Sequence, residues 1–263
     1  AFLLNRSSDL HVYGLYDNAE LISRSLAGIR KNGLVKRLES SFYAFQVSLD
    51  NFRQANKNMI DMFNRDKVFI APDLDINNLL ESGYTDEEIE EKLNAKAEDN
   101  PKNSVFKAED FKPEFIEMLQ SDQDTLEKMC KAWEKITDAD DSKFAKFNEL
   151  LKHELFKEDR NPEQKLVVFS ESVDTVKYLE RRINRKDVLV ISADNRSKLF
   201  KTIRENFDAN YKTKLNDYNI ILTTDVLAEG VNLHRANVIV NYDTPWNSTR
   251  LMQRIGRVNR IGS

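Results

Sequence analysis

The sequence predicts an α/β protein: a parallel sheet covered on both faces, preceded by a mainly α-helical region. Three observations carry this. After Asn161-Pro162, short apolar runs recur as LVVFS (166–170), VLVIS (188–192), IILTT (220–224) and VIVNYD (238–243). Between and after them lie helical stretches at 172–183, 197–211 and 248–258. Strands that are apolar throughout, separated by helices, are buried on both faces, and their crossovers are right-handed. Before about Lys157 the apolar spacing is helical instead. The expected domains are therefore a helical region over 1–160 and a sheet domain over 161–263.

Within the first region, Leu38, Phe42, Phe45, Leu49, Phe52, Met59 and Phe63 fall on alternating four- and three-residue steps, with Asn56 the one polar interruption. That predicts one long helix from about Asn18 to Asn64, with a break near Gly28 or Gly33, packing one apolar stripe against other helices. Thr85-Asp-Glu-Glu88 reads as a capping box, and its acids suit a helix start. Its DEEI also matches a magnesium-binding acidic loop, but no apolar strand precedes it, so the helix start is the better reading. Residues 98–110 read as a loop. Helices follow over about 113–136 and 142–156, the latter with Phe144, Phe147, Leu151 and Leu155 on one face. Asn247 is placed to cap the last helix.

The charge is unevenly distributed. Residues 71–110 carry twelve Asp/Glu and four Lys, a net of −8 in a chain whose total is −4, so the remainder is net positive. Global acidity therefore says little about whether the rest meets polyanions. No apolar run approaches bilayer-spanning length, and no secretory leader is evident in the first residues. Cys130 is the only cysteine, and the three histidines are far apart, which leaves no disulfide and no metal-site spacing. No membrane association is expected, and a reducing cytoplasm is the expected compartment.

Ligands of parallel sheets bind at the carboxyl ends of the strands. Two clusters fall there or follow directly. Arg250, Arg254, Arg257 and Arg260 stand at steps of four, three and three, within about 120° of one another on a helix. The tail from Trp246 holds no lysine or carboxylate. Guanidinium groups bind phosphate through forked, charge-assisted hydrogen bonds. The bland alternative is a solvated basic face balanced by acids elsewhere. Gly256 lifts the anion reading, because glycine inside a helix costs roughly 1 kcal/mol against alanine and is tolerable where a ligand or backbone must come close, or where the helix ends. Leu251, Ile255 and Val258 are the expected docking face. The second cluster, TTDVLAEGVNLHRANVIVNYD, turns at a strand end, where hydroxyls and backbone N–H groups suit phosphodiester oxygens.

Together these residues resemble the second RecA-like lobe of superfamily-two helicases and translocases. LVVFS looks like motif IV, TDVLAEGVNL (224–233) like motif V, and QRIGRVNR (253–260) like motif VI. NYDTPWNSTRLMQRIGR and KRLESSF (36–42) resemble the Swi/Snf-related bacterial enzymes. The resemblance implies that Arg257 and Arg260 are arginine fingers reaching an ATP γ-phosphate. Gln253, Arg254, Glu229, Gly230 and Asn232 would order the ATP cleft. Thr224, Asp225 and Ser170 would face nucleic acid, with duplex DNA the expected track. ATP and Mg2+ are the implied cofactors. The G-x-x-x-x-G-K-[ST] loop does not occur in this sequence. In this family it belongs to a first lobe, so the chain reads as a fragment inactive alone, with its Mg2+ ligands and partner lobe elsewhere.

Two other classes stand beside this reading. A non-catalytic interaction module could use the helical and acidic region to dock a protein partner. A flavodoxin-like ligand-binding domain explains the sheet but not the arginine row.

Overall fold

The computed structural model describes residues 32–97, 100, 103–227, 231–245 and 247–258. These fall into two compact units. Among the described residues, one holds residues 32–35 and 46–136; the other holds residues 36–45 and 137–258. Residues 36–45 and 137–160, assigned by sequence to the helical region, thus pack with the sheet.

Residues 32–40 are helical, and α1 (Phe42–Asn64) follows after a single non-helical residue, Ser41. Gly33 lies inside the helical stretch, so among the described residues the break falls at Ser41, and Gly28 lies outside them. Ser41 accepts the Ala44 N–H at 3.0 Å, a local side-chain bond that competes with a regular helix.

In the first unit the stripe on α1 is buried at Leu49, Asn56, Met59 and Phe63. Asn56 stays there by donating to the Leu119 carbonyl and to Gln123, both at 2.9 Å. Met59, Met62 and Phe63 pack against β1 (Val68–Ile70), Ile76 of α2 (Ile76–Glu81), Ile89 and Leu93 of α3 (Asp86–Ala97), and Phe115 and Leu119 of α4 (Pro113–Trp133). The capping box forms as expected: Glu88 accepts the Thr85 N–H at 2.8 Å and Thr85 accepts the Glu88 N–H at 3.3 Å. The loop expected at 98–110 is in part a strand. β2 (Ser104–Phe106) pairs antiparallel with β1, and Ala108–Asp110 forms a 3-10 turn. Three-residue strands are too short for periodicity to reveal; a buried partner made this one.

The second unit contains a four-stranded parallel sheet of order β4-β5-β3-β6, from β3 (Leu166–Phe169), β4 (Val188–Ile191), β5 (Ile220–Thr223) and β6 (Val238–Asn241). Side chains alternate between two cores, as the pleat requires. Leu166, Val168, Ile220 and Leu222 meet α5 (Ser142–His153) through Phe144, Phe147 and Leu151, and α6 (Val173–Arg182) through Val176 and Leu179. Val167, Phe169, Ile191 and Ile221 meet Ile203 and Phe207 of α7 (Arg196–Phe207), plus Leu227, Val231 and Leu233. This is the doubly covered α/β sheet that the sequence predicts. The last helix, α8 (Ser248–Val258), is capped by Asn247, whose side chain accepts the Thr249 N–H at 2.9 Å. Among the described residues, no helix is long and apolar enough to cross a membrane.

Candidate functional site

The register puts Phe169, Thr223 and Asn241 level across β3, β5 and β6, with Ile191 level with Thr223. The polar residues that follow these strands therefore gather at one end of the sheet. Asp243 organises the β3–β6 corner. Its Oδ1 accepts the Glu171 N–H at 2.6 Å, and its Oδ2 accepts the Ser170 hydroxyl at 2.6 Å. Ser170, expected to face nucleic acid, is fully buried and also accepts the Ser172 N–H at 3.1 Å. Its hydroxyl is spent on holding the turn, and its neighbour Glu171 keeps some exposure.

The arginine helix docks differently from the expectation. Arg254 is 0% exposed. Its Nε donates to Asp225 Oδ1 at 2.6 Å and its Nη1 to Asn241 Oδ1 at 2.9 Å, while the guanidinium lies 5.2 Å from the Phe169 ring centroid. Its Nη2 has no hydrogen-bond partner among the described residues. Arg250, largely exposed, reaches Asp225 at 3.4 Å and Glu171 at 3.8 Å. Two of the four arginines are thus balanced by carboxylates from the ends of β3 and β5, distant in sequence but brought close by the sheet. The docked face is Leu251, Arg254 and Val258; Ile255, assigned to it by spacing, is exposed, as is Met252. A buried ion pair between Arg254 and Asp225 seats this helix where an all-apolar face was expected.

The remaining site residues divide by position. Arg257 is half-buried, and its carbonyl accepts the Leu233 N–H at 3.0 Å, tying α8 to the loop after β5. Gln253 and Asn232 are exposed, and Thr224 is half-buried beside the fully buried Thr223, whose hydroxyl donates to the Ile191 carbonyl at 3.1 Å. A Cβ added at Gly256 would meet no atom within 4 Å, so packing within the described chain does not require that glycine. Glu229, Gly230 and Arg260 lie outside the described residues.

Sequence reasoning missed Arg235. It is 6% exposed and donates to the carbonyls of Asn206 at 3.0 Å and Leu215 at 2.8 Å, to Asn216 Oδ1 at 2.6 Å and to Glu163 at 3.1 Å. It holds the α7–β5 connection. An arginine next to His234 in an irregular stretch gives no periodic signal of burial.

Residues 142–262 match the family model of the helicase conserved C-terminal domain. A probable ATP-dependent RNA helicase, ddx51 of Dictyostelium discoideum, is 31% identical over 114 residues, which is 41% of this chain and 20% of that protein. An uncharacterized ATP-dependent helicase of Bacillus subtilis, YqhH, is 49% identical over 43 residues, or 16% of this chain and 8% of that protein. The matched stretches thus span a fifth or less of these two relatives' length. Among solved structures, the C-terminal part of the Fun30 ATPase domain covers 82% of this chain and 77% of its own at 18% identity, with a TM-score of 0.37. The stretch that matches the helicase conserved C-terminal domain holds the parallel sheet and the arginine helix α8.

Proposed function

We propose that this chain is the second motor lobe of an ATP-dependent helicase or translocase that moves along nucleic acid by its backbone. The observation that carries the reading is the seating of α8. Arg254, locked to Asp225 and Asn241, fixes the helix at the carboxyl ends of β5 and β6, and Arg257 follows one turn later. Arg257 and Arg260 act as arginine fingers on a triphosphate held by a first lobe, where preorganised positive charge stabilises the transition state. Gln253, Glu229, Gly230 and Asn232 line the same cleft; Arg254 acts from beneath by holding the helix. Thr224 and Asp225 belong to the turn that meets the phosphate backbone, and Asp225 does so while paired to Arg254.

The donor set fits a polyphosphate: a guanidinium and a carboxamide on one rigid helix, with open space over Gly256. Among the described residues no group of three or more His, Cys, Asp or Glu could hold a metal ion. On this reading Mg2+ goes with the triphosphate and the first lobe.

In the full-length protein, Arg257→Ala should lower ATP turnover by about a thousandfold or more while sparing ATP binding. Turnover at the wild-type rate in that variant would remove the arginine-finger assignment. The Swi/Snf-related reading makes duplex DNA the track, whereas the Dictyostelium relative is named as a probable RNA helicase. Stimulation of turnover by duplex DNA against single-stranded RNA, each across a salt series, decides between them, because backbone binding is salt-dependent for both.

A further inference from the structure

The polar network at the strand ends extends past the residues used above, into segment 36–41. Ser40 is 3% exposed. Its hydroxyl donates to Asp243 Oδ2 at 2.5 Å, lies 2.7 Å from Thr175 Oγ1 and is 3.4 Å from Ser170 Oγ. Ser41 lies 2.8 Å from the same Thr175 hydroxyl. Arg37 donates to Ser172 Oγ at 2.7 Å, and Lys143 donates to the Ser40 carbonyl at 2.9 Å while sitting 4.3 Å from the Tyr242 ring centroid. Burying this many hydroxyls beside a carboxylate is costly unless each is satisfied. A helix break alone needs one capping hydroxyl, which Ser41 supplies; Ser40 does something else.

What Ser40 adds is a third bond to Asp243, whose carboxylate also holds Ser170 and the Glu171 N–H. The Glu171 side chain lies 3.8 Å from Arg250, Arg250 lies 3.4 Å from Asp225, and Asp225 grips Arg254 at 2.6 Å. One continuous set of polar contacts therefore runs from the serine pair ahead of α1 to the arginine helix. We infer that Ser40 is a positioning residue: through Asp243 it sets the Ser170–Glu171 corner, and through Glu171 and Arg250 it sets the seat of α8 and hence of Arg257. This inference rests on the motor-lobe reading.

The test is a double-mutant cycle in the full-length protein, because spatial continuity alone does not demonstrate coupling. Ser40→Ala should lower nucleic-acid-stimulated kcat, normalised to the folded fraction, by about tenfold, with KM for ATP changed less than about twofold. Ser40→Thr, which keeps the hydroxyl, should restore kcat. Glu171→Gln should give a similar loss, and the double variant should be no slower than Glu171→Gln alone. Wild-type kcat in Ser40→Ala, or losses that multiply in the double variant, would overturn the inference. Should Ser40→Ala not fold, the partly exposed Glu171→Gln carries the test, and wild-type kcat there overturns it equally. Arg257→Ala run in parallel keeps the two questions apart. An inactive Arg257→Ala beside a normal Ser40→Ala removes only the relay, and a normal Arg257→Ala removes the motor-lobe reading itself.

Discussion

The two compact units bury different chemistry. Among the described residues, the unit around α1 and α4 buries amides as its only polar side chains, Asn56, Asn58 and Asn103. Its many charges remain near the surface, as in the pairs of Arg65 with Asp86 and of Lys67 with Glu87 and Glu90. The sheet unit buries Asp141, Lys165, Asp208, Arg235 and Arg254. Exposed pairs contribute little to stability and tolerate change, whereas a buried charge left without its partner is strongly destabilising. The described part of the acidic segment 71–110, which dominates the net charge, is thus a folded surface built on Ile76, Ile89 and Leu93. The buried charges lie in the sheet unit: Lys165 and Arg235 ahead of β3 and β6, Asp141 and Asp208 at the ends of α5 and α7, and Arg254 over the ends of β5 and β6. Net charge and charge under constraint lie in different places, and the second is the better guide to a site.

That contrast can be broken by experiment. The largest effect is expected from Arg254→Ala, which leaves the partly buried Asp225 with only the longer 3.4 Å contact to exposed Arg250 and should cost about 3–5 kcal/mol. Hydrogen exchange should show α8 and the end of β5 losing protection while α3 and α4 keep theirs; equal loss in both units would show that they do not respond separately. A smaller effect concerns Lys165, whose ammonium donates to the Tyr218 carbonyl at 2.6 Å and Asn219 Oδ1 at 3.0 Å. Burial, then the nearby Arg235, lowers its pKa from 10.5 to about 8, against the opposing pull of Glu163, Asp187 and Asp217. The folded state therefore gives up this proton at lower pH than the unfolded chain does. Between about pH 8 and 10.5 the unfolded state binds more protons, and the Lys165 contribution to stability rises with pH. Urea melts at pH 7.5 and 9.5 should show wild type gaining on Lys165→Met; a constant difference would contradict the assignment. The smallest effect is Thr85→Ala, which removes one exposed cap in the acidic unit and should cost about 1 kcal/mol in urea unfolding. A cost matching that of Arg254→Ala would erase the contrast between the units.

Much of this was legible before any coordinates. The four sheet strands, the helices between them, the Thr85 capping box and the Asn247 cap are local patterns with local causes: periodicity, apolar runs and side chains that satisfy neighbouring backbone groups. The β1–β2 pair was not legible, because three-residue strands have no measurable period. Neither was the burial of Ser40 and Ser41, whose hydroxyls meet Thr175 and, for Ser40, Asp243 far along the chain.

The arginine row marks the boundary between the two kinds of information. Its spacing, its helix and its position after the last strand follow from the sequence, because helix geometry alone fixes which residues share a face. Which of those arginines would be buried did not follow. Arg254 and Arg257 sit one turn apart with the same chemistry, yet Arg254 is sealed against Phe169 and paired with Asp225 and Asn241, while Arg257 remains half-buried. That choice was made by the parallel sheet, which brings the ends of β5 and β6 under the helix and supplies a carboxylate where the local sequence has none.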